Sequence, residues 1–104
     1  MRILFDQGTP VPLKRFLTEH EVSTAYLEGW GDLQNGDLLA AAESRFDLFI
    51  TTDKNLRYQQ NLSGRRLAIL VLPTTSWPAI QPHGETIASA AETMQPAEYR
   101  ELVW

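Results

Sequence analysis

The stretch that decides the fold is Asp47-Leu48-Phe49-Ile50-Thr51-Thr52-Asp53. Its apolar residues are consecutive, not alternating, which is the pattern of a strand covered on both faces in a parallel sheet. It ends on an acid, Asp53. Residues 2–6, Arg-Ile-Leu-Phe-Asp, repeat the arrangement and end on Asp6. Residues 67–72, Leu-Ala-Ile-Leu-Val-Leu, are the most apolar run and make the best central strand. Over 21–26, Val22, Thr24 and Tyr26 alternate with Ser23 and Ala25, which predicts one further strand.

Helical patterns lie between these runs. Pro12 suits the opening of a helix over 11–19 carried by Leu13, Phe16 and Leu17. Residues 29–36 hold three glycines and an asparagine and read as a loop. Asp37 then stands at the N-cap or first turn of a helix ending near Arg45. A short helix is expected over 55–61 with Leu56, Tyr58 and Leu62 as anchors, stopped by Gly64. Pro73, Pro78 and Pro82 mark an extended connection, and a last helix spans about 85–95. Tyr99, Leu102, Val103 and Trp104 form an apolar tail that should pack. Strands alternating with helices predict an α/β fold with a mainly parallel, roughly four-stranded sheet and right-handed crossovers.

The 104 residues suit one domain over 1–104. Zero cysteine excludes a disulfide scaffold, a zinc finger and a thiol nucleophile. No apolar run approaches the length of a membrane span, and no secretory leader is read, so a soluble cytoplasmic chain is expected. Nine basic against thirteen acidic residues, a net charge of -4, argue against coating nucleic acid through overall charge. No glycine-rich phosphate loop, serine elbow or paired-histidine spacing is present.

In parallel sheets ligands bind beyond the carboxyl ends of the strands, where the strand order switches. Asp6 and Asp53 end strands. Asp37 opens the helix that leads into strand 47–52, and such a helix starts at the same edge. Three carboxylates brought together repel unless a cation joins them, and an oxygen-only set suits Mg2+ or Mn2+. Such an ion activates water and stabilises charge on a phosphodiester. The chemistry expected is metal-assisted phosphodiester hydrolysis, with Asp6, Asp37 and Asp53 as metal ligands and catalytic residues. Asp37 also reads as a helix cap and Asp53 as an Asx-turn, whereas Asp6 has no such local use. Glu43, about 240° around the helix from Asp37, is expected on a solvated face. Of Thr51 and Thr52, one should face the core and the other the site. Glu43 and Thr52 stand as outlying candidates.

Asn55 is a polar group for the metal or a phosphate, or else a helix N-cap. Residues 53–66 carry Lys54, Arg57, Arg65 and Arg66 against Asp53 alone, a net +3 from four cations and one acid. With Asn55 this strip would hold a nucleic-acid backbone, or else form a solvated helix face and turn.

The strings M-R-I-L-F-D (1–6), G-D-L-L-A-A-A-E (36–43) and F-I-T-T-D-K-N-L (49–56) resemble the PIN-like nuclease superfamily. They are most similar to its short bacterial branch of presumed toxins of toxin–antitoxin pairs, related to the VapC toxins. The resemblance covers residues 1–72 in order and spacing. It implies a compact three-layer fold and a Mg2+- or Mn2+-dependent endoribonuclease. Asp6, Asp37 and Asp53 would sit at its metal site, with Asn55 where many members have a further polar or acidic residue. It also implies an RNA substrate, a cognate antitoxin protein and a homodimer. A non-catalytic PIN-like module binding a partner protein or RNA is the alternative, motivated by Gln7 where relatives often carry a second acid. A receiver-like phosphoacceptor is a third reading, though Lys54 directly follows an acid.

Overall fold

The computed structural model describes residues 1–59, 62 and 64–104. Among them, β1 (Arg2–Phe5), β2 (Glu21–Thr24), β3 (Leu48–Thr51), β4 (Ala68–Val71) and β5 (Tyr99–Glu101) form one sheet. The order is β2-β1-β3-β4-β5 and every neighbouring pair is parallel. The helices are α1 (Asn35–Glu43), α2 (Leu56–Gln59), α3 (Trp77–Ile80) and α4 (Gly84–Thr93), with 3-10 segments at Val11–Phe16 and Gln81–His83.

The consecutive apolar residues of β1, β3 and β4 are buried on both faces, as their pattern predicts. On one face Ile3, Phe5, Ile50 and Leu70 meet Leu13 of the first 3-10 segment and Ile87 of α4. On the other, Leu4, Phe49 and Ile69 meet Leu38, Leu39 and Ala42 of α1 and Leu56 of α2. The result is a three-layer α/β fold.

Several boundaries differ from expectation for identifiable reasons. The sheet has five strands, not four, because Tyr99–Glu101 joins the edge of β4. That tripeptide is too short and too polar to announce itself. The helix expected over 11–19 is a 3-10 segment ending at Phe16. The proline-rich connection is partly helical: Pro78 and Pro82 each stand at the start of a helical turn, where a missing N–H costs nothing. α1 begins at Asn35, so Asn35 and Gly36 belong to the helix and not to the expected loop, while Asp37 stands in its first turn as expected. Of the helix expected over 55–61, Gln60 and Asn61 lie outside the described residues, as does Ser63.

The connections are not all of one hand. β1→β2 and β2→β3 run in opposite directions across the sheet and over opposite faces, so they share a hand. β4→β5 runs in the direction of β2→β3 but passes over the other face through α4, which reverses its hand. Uniformly right-handed crossovers therefore do not hold. A six-residue 3-10 segment cannot cover its face alone, and α4 completes that layer. Among the described residues no helix is long and apolar enough to cross a membrane.

Candidate functional site

β2 lies on one side of β1 and β3 on the other, so the strand order switches between β1 and β3. The register pairs Phe5 with Ile50, which puts Asp6 level with Thr51. Phe5 and Ile50 both face the α4 side, so the residues that follow them both turn to the α1 side. Thr51, almost fully buried, donates its hydroxyl proton to Asp6 Oδ2 at 2.5 Å. The same oxygen accepts the Asp53 N–H at 3.1 Å. One hydroxyl thus links the two strand-end acids.

Each acid is oriented further. Thr9 Oγ1 lies 2.6 Å from Asp6 Oδ1 and 2.9 Å from the Ile50 carbonyl, with one proton shared between them. Asp53 Oδ1 accepts the Asn55 N–H at 3.0 Å, the Asx-turn that the sequence allowed. Asp53 Oδ2 accepts Nδ2 of Asn35 at 2.7 Å. Asp6 and Asp53 are both half-buried. Among the described residues none of the ion pairs includes Asp6, Asp37 or Asp53.

Asn35 is the site residue that sequence reasoning missed. The glycines around it predict a loop, and an amide carries no signal of a metal site. Asp37 follows it by two residues, about 200° around the helix. With Asn35 turned to Asp53, Asp37 is directed elsewhere, and it is exposed. Among the described residues no group of three or more His, Cys, Asp or Glu side chains is arranged to hold an ion. The carboxyl edge therefore brings Asp6 and Asp53 together with Asn35 and does not draw Asp37 into the set.

Asp6 and Asn35 line a cleft of about 150 Å³ with Ala25, Trp30 and Leu38. Gln7, on the same cleft, donates Nε2 to the Gly31 carbonyl at 2.6 Å and ties the β1 loop to the loop before α1. Gly8 permits close approach of that loop to β3. A Cβ there would stand 2.6 Å from Thr52 Oγ1. Thr52 is half-buried against this glycine, while Thr51 makes the carboxylate contact.

The outlying acid Glu43 lies at the far end of α1, toward the amino ends of the strands. It is half-buried there and engaged with backbone. Its two oxygens accept the backbone N–H groups of Arg66 at 2.6 Å and Leu67 at 3.3 Å, closing the entry to β4. Arg66 lines a cleft of about 530 Å³ at that opposite edge, with Arg2, Glu43, Arg45 and Asp47. Half-buried Arg65 precedes it in the same turn.

The basic strip is therefore divided. Lys54 and Asn55 are exposed beside Asp53, whereas Arg65 and Arg66 lie at the entry to β4. Arg57 is engaged within the fold. Its guanidinium lies 4.8 Å from the Tyr58 ring centroid and 5.8 Å from that of Tyr99. It donates to the Tyr58 hydroxyl at 2.6 Å and pairs with Glu101 at 3.8 Å, and these contacts raise its pKa above the ordinary value. Burial, then the hydrogen bond to Glu101, pushes the Tyr99 phenol up to about 12.

Comparison of the chain with family models, with curated proteins and with solved structures found no match.

Proposed function

We propose that this chain is a small metal-dependent ribonuclease that hydrolyses RNA at the β1/β3 edge and serves as the toxin of a toxin–antitoxin pair. The observation that carries the reading is the Thr51 hydroxyl, which bonds the Asp6 carboxylate and the backbone N–H of Asp53 and so sets side by side two half-buried acids with no cation partner among the described residues. Mg2+ is commonly held by one or two carboxylates together with waters and substrate phosphates, so two acids suit it or Mn2+. Asn35 offers a third oxygen, since its amide nitrogen is turned to Asp53.

Asp6 and Asp53 would hold the ion, with Asn35 beside them. When bound, the ion supplies an activated water and charge neutralisation at the phosphate. Thr9 and Thr51 fix the plane of the Asp6 carboxylate. Asn35 and the Asn55 N–H fix that of Asp53. Lys54, in no ion pair among the described residues, directly follows Asp53 and serves as a phosphate contact. Asp37 keeps a peripheral part, adding negative charge at the rim. The toxin assignment rests on the resemblance of residues 1–72, and an antitoxin and a homodimer belong to the same proposal.

The test is RNA cleavage by the full chain with Mn2+, against Asp6→Asn and Asp53→Asn. Each substitution is expected to lower the rate by at least roughly 100-fold. Equal cleavage by wild type and Asp6→Asn refutes the enzyme. Growth arrest on expression, relieved by a co-expressed neighbouring reading frame, tests the toxin role.

One observation favours the alternative of a non-catalytic module that binds RNA or a partner protein: the third side chain at the site is an amide. Calorimetry separates the two. Mn2+ binding that is lost in Asp53→Ala supports the enzyme, and RNA binding without any Mn2+ binding supports the module.

A further inference from the structure

A second cleft opens on the same carboxyl edge, between β4 and β5, and has a volume of about 180 Å³. Drug-sized ligands occupy roughly 300–1,000 Å³, so this cleft suits a single ring system. Its walls are apolar: Val71 and Leu72 are buried, Leu102 is half-buried, and Pro73 and Val103 complete the rim. Two charged side chains line it, Lys54 and Glu101. The Glu101 carboxylate already receives the Tyr99 hydroxyl at 3.0 Å and Arg57 at 3.8 Å. Lys54 is exposed and takes part in no ion pair among the described residues. The cleft thus combines an apolar wall with one uncompensated positive charge.

The cleft lies beside the acid site on the same edge. β3 pairs Thr51 with Val71, so Asp53 is level with Pro73, one strand spacing away, or ~4.8 Å in the hydrogen-bonding direction. Lys54 is the residue after Asp53 and reaches the cleft rim. A polynucleotide held at Asp53 would pass its neighbouring nucleotide over this cleft.

We propose that the β4/β5 cleft is a nucleotide subsite, in which a base packs on the Pro73, Leu102 and Val103 wall and its phosphate meets the Lys54 ammonium. The proposal rests on reading the carboxyl edge as an RNA-cleaving site and specifies how that site holds the nucleotide next to the scissile bond. Packing on a base face is tolerant of base identity, so the subsite adds affinity without reading sequence.

The test uses the full chain in the presence of EDTA, which keeps it independent of metal and of cleavage. Adenosine 5′-monophosphate, adenosine and inorganic phosphate are titrated while backbone amide resonances are followed by NMR. The monophosphate is expected to shift Lys54, Leu102 and Val103, and each of the other two probes to bind more weakly. Lys54→Gln should weaken it roughly three- to fivefold. Val103→Asp, at an exposed position, should weaken it roughly tenfold by setting a like charge beside the phosphate. Phosphate acting as strongly as the nucleotide would reduce the cleft to a simple anion contact and overturn the proposal. So would unchanged binding in both variants, or no shift at Leu102 and Val103. Nucleotide binding by a chain that cuts RNA no better than Asp6→Asn upholds the subsite and sinks the nuclease. Cleavage without nucleotide binding does the reverse.

Discussion

Thr51 shows how much a single hydroxyl can organise. Its side chain is buried, yet it donates to Asp6 and accepts from the Asp53 backbone, so both polar roles of the group are filled. Thr51→Val keeps the shape and removes both bonds. It leaves a carboxylate oxygen and an N–H short of partners, at a cost of about 1–3 kcal/mol. Denaturant unfolding should show that loss, and RNA cleavage should fall roughly 10–100-fold as Asp6 loses its orientation. Thr52→Val should change neither by comparison. Asn35 and Asp37 offer a second contrast. Asn35→Ala removes the partner of Asp53 Oδ2 and should weaken Mn2+ binding roughly tenfold, whereas Asp37→Ala should leave it within about threefold. Calorimetric titration of the two variants decides between them. If Asp37→Ala is the more damaging, the three-aspartate arrangement expected from the sequence is right after all. The strand-end placement of Asp6 and Asp53 is legible because each closes a run of consecutive apolar residues. That of Asn35 is not, because which face of a helix meets a strand end depends on where the helix begins.

At the scale of elements, the layer opposite α1 depends on a close fit. α4 begins at Gly84, where an added Cβ would lie 2.5 Å from three atoms of the Phe16 ring. Phe16 in turn packs against Trp77, with ring centroids 6.4 Å apart. Gly84→Ala forces this cluster apart, which outweighs the better helix propensity of alanine. A destabilisation of about 1–3 kcal/mol is expected, read as a lower denaturation midpoint with an unchanged slope. Stability equal to or above that of wild type would show that the ring moves freely. The short elements were the least legible. Prolines at 78 and 82 signal a break in one context and a helix start in another, and only packing chooses between them. β5 pairs through its backbone with β4, and backbone pairing leaves little mark on a three-residue sequence.

Across the whole molecule, the positive charge of residues 53–66 is shared between the two edges of the sheet. Lys54 lies with the acids, while Arg65 and Arg66 lie where β4 begins, as close in sequence as before but at the other end of a strand. RNA held at the acids should therefore be indifferent to Arg66. Arg66→Gln is expected to leave RNA affinity within about twofold, and Lys54→Gln to lower it roughly threefold or more. Few phosphate contacts also imply a shallow salt dependence, with a log–log slope of magnitude about 1, since each contact to a single strand contributes roughly 0.7. Fluorescence anisotropy across a salt series measures both, and a steep slope would show that distant arginines take part. The layered α/β class, the parallel sheet and the two acids at strand ends are readable from residue order, because burial on both faces and an abrupt acid are local signals. Only the folded chain shows that Thr51 bonds both strand-end residues, that Asn35 and not Asp37 hydrogen-bonds Asp53, and that the basic strip is divided. Those outcomes follow from strand register, helix phase and the path of a crossover, which relate residues far apart in the chain and leave no periodic trace in it.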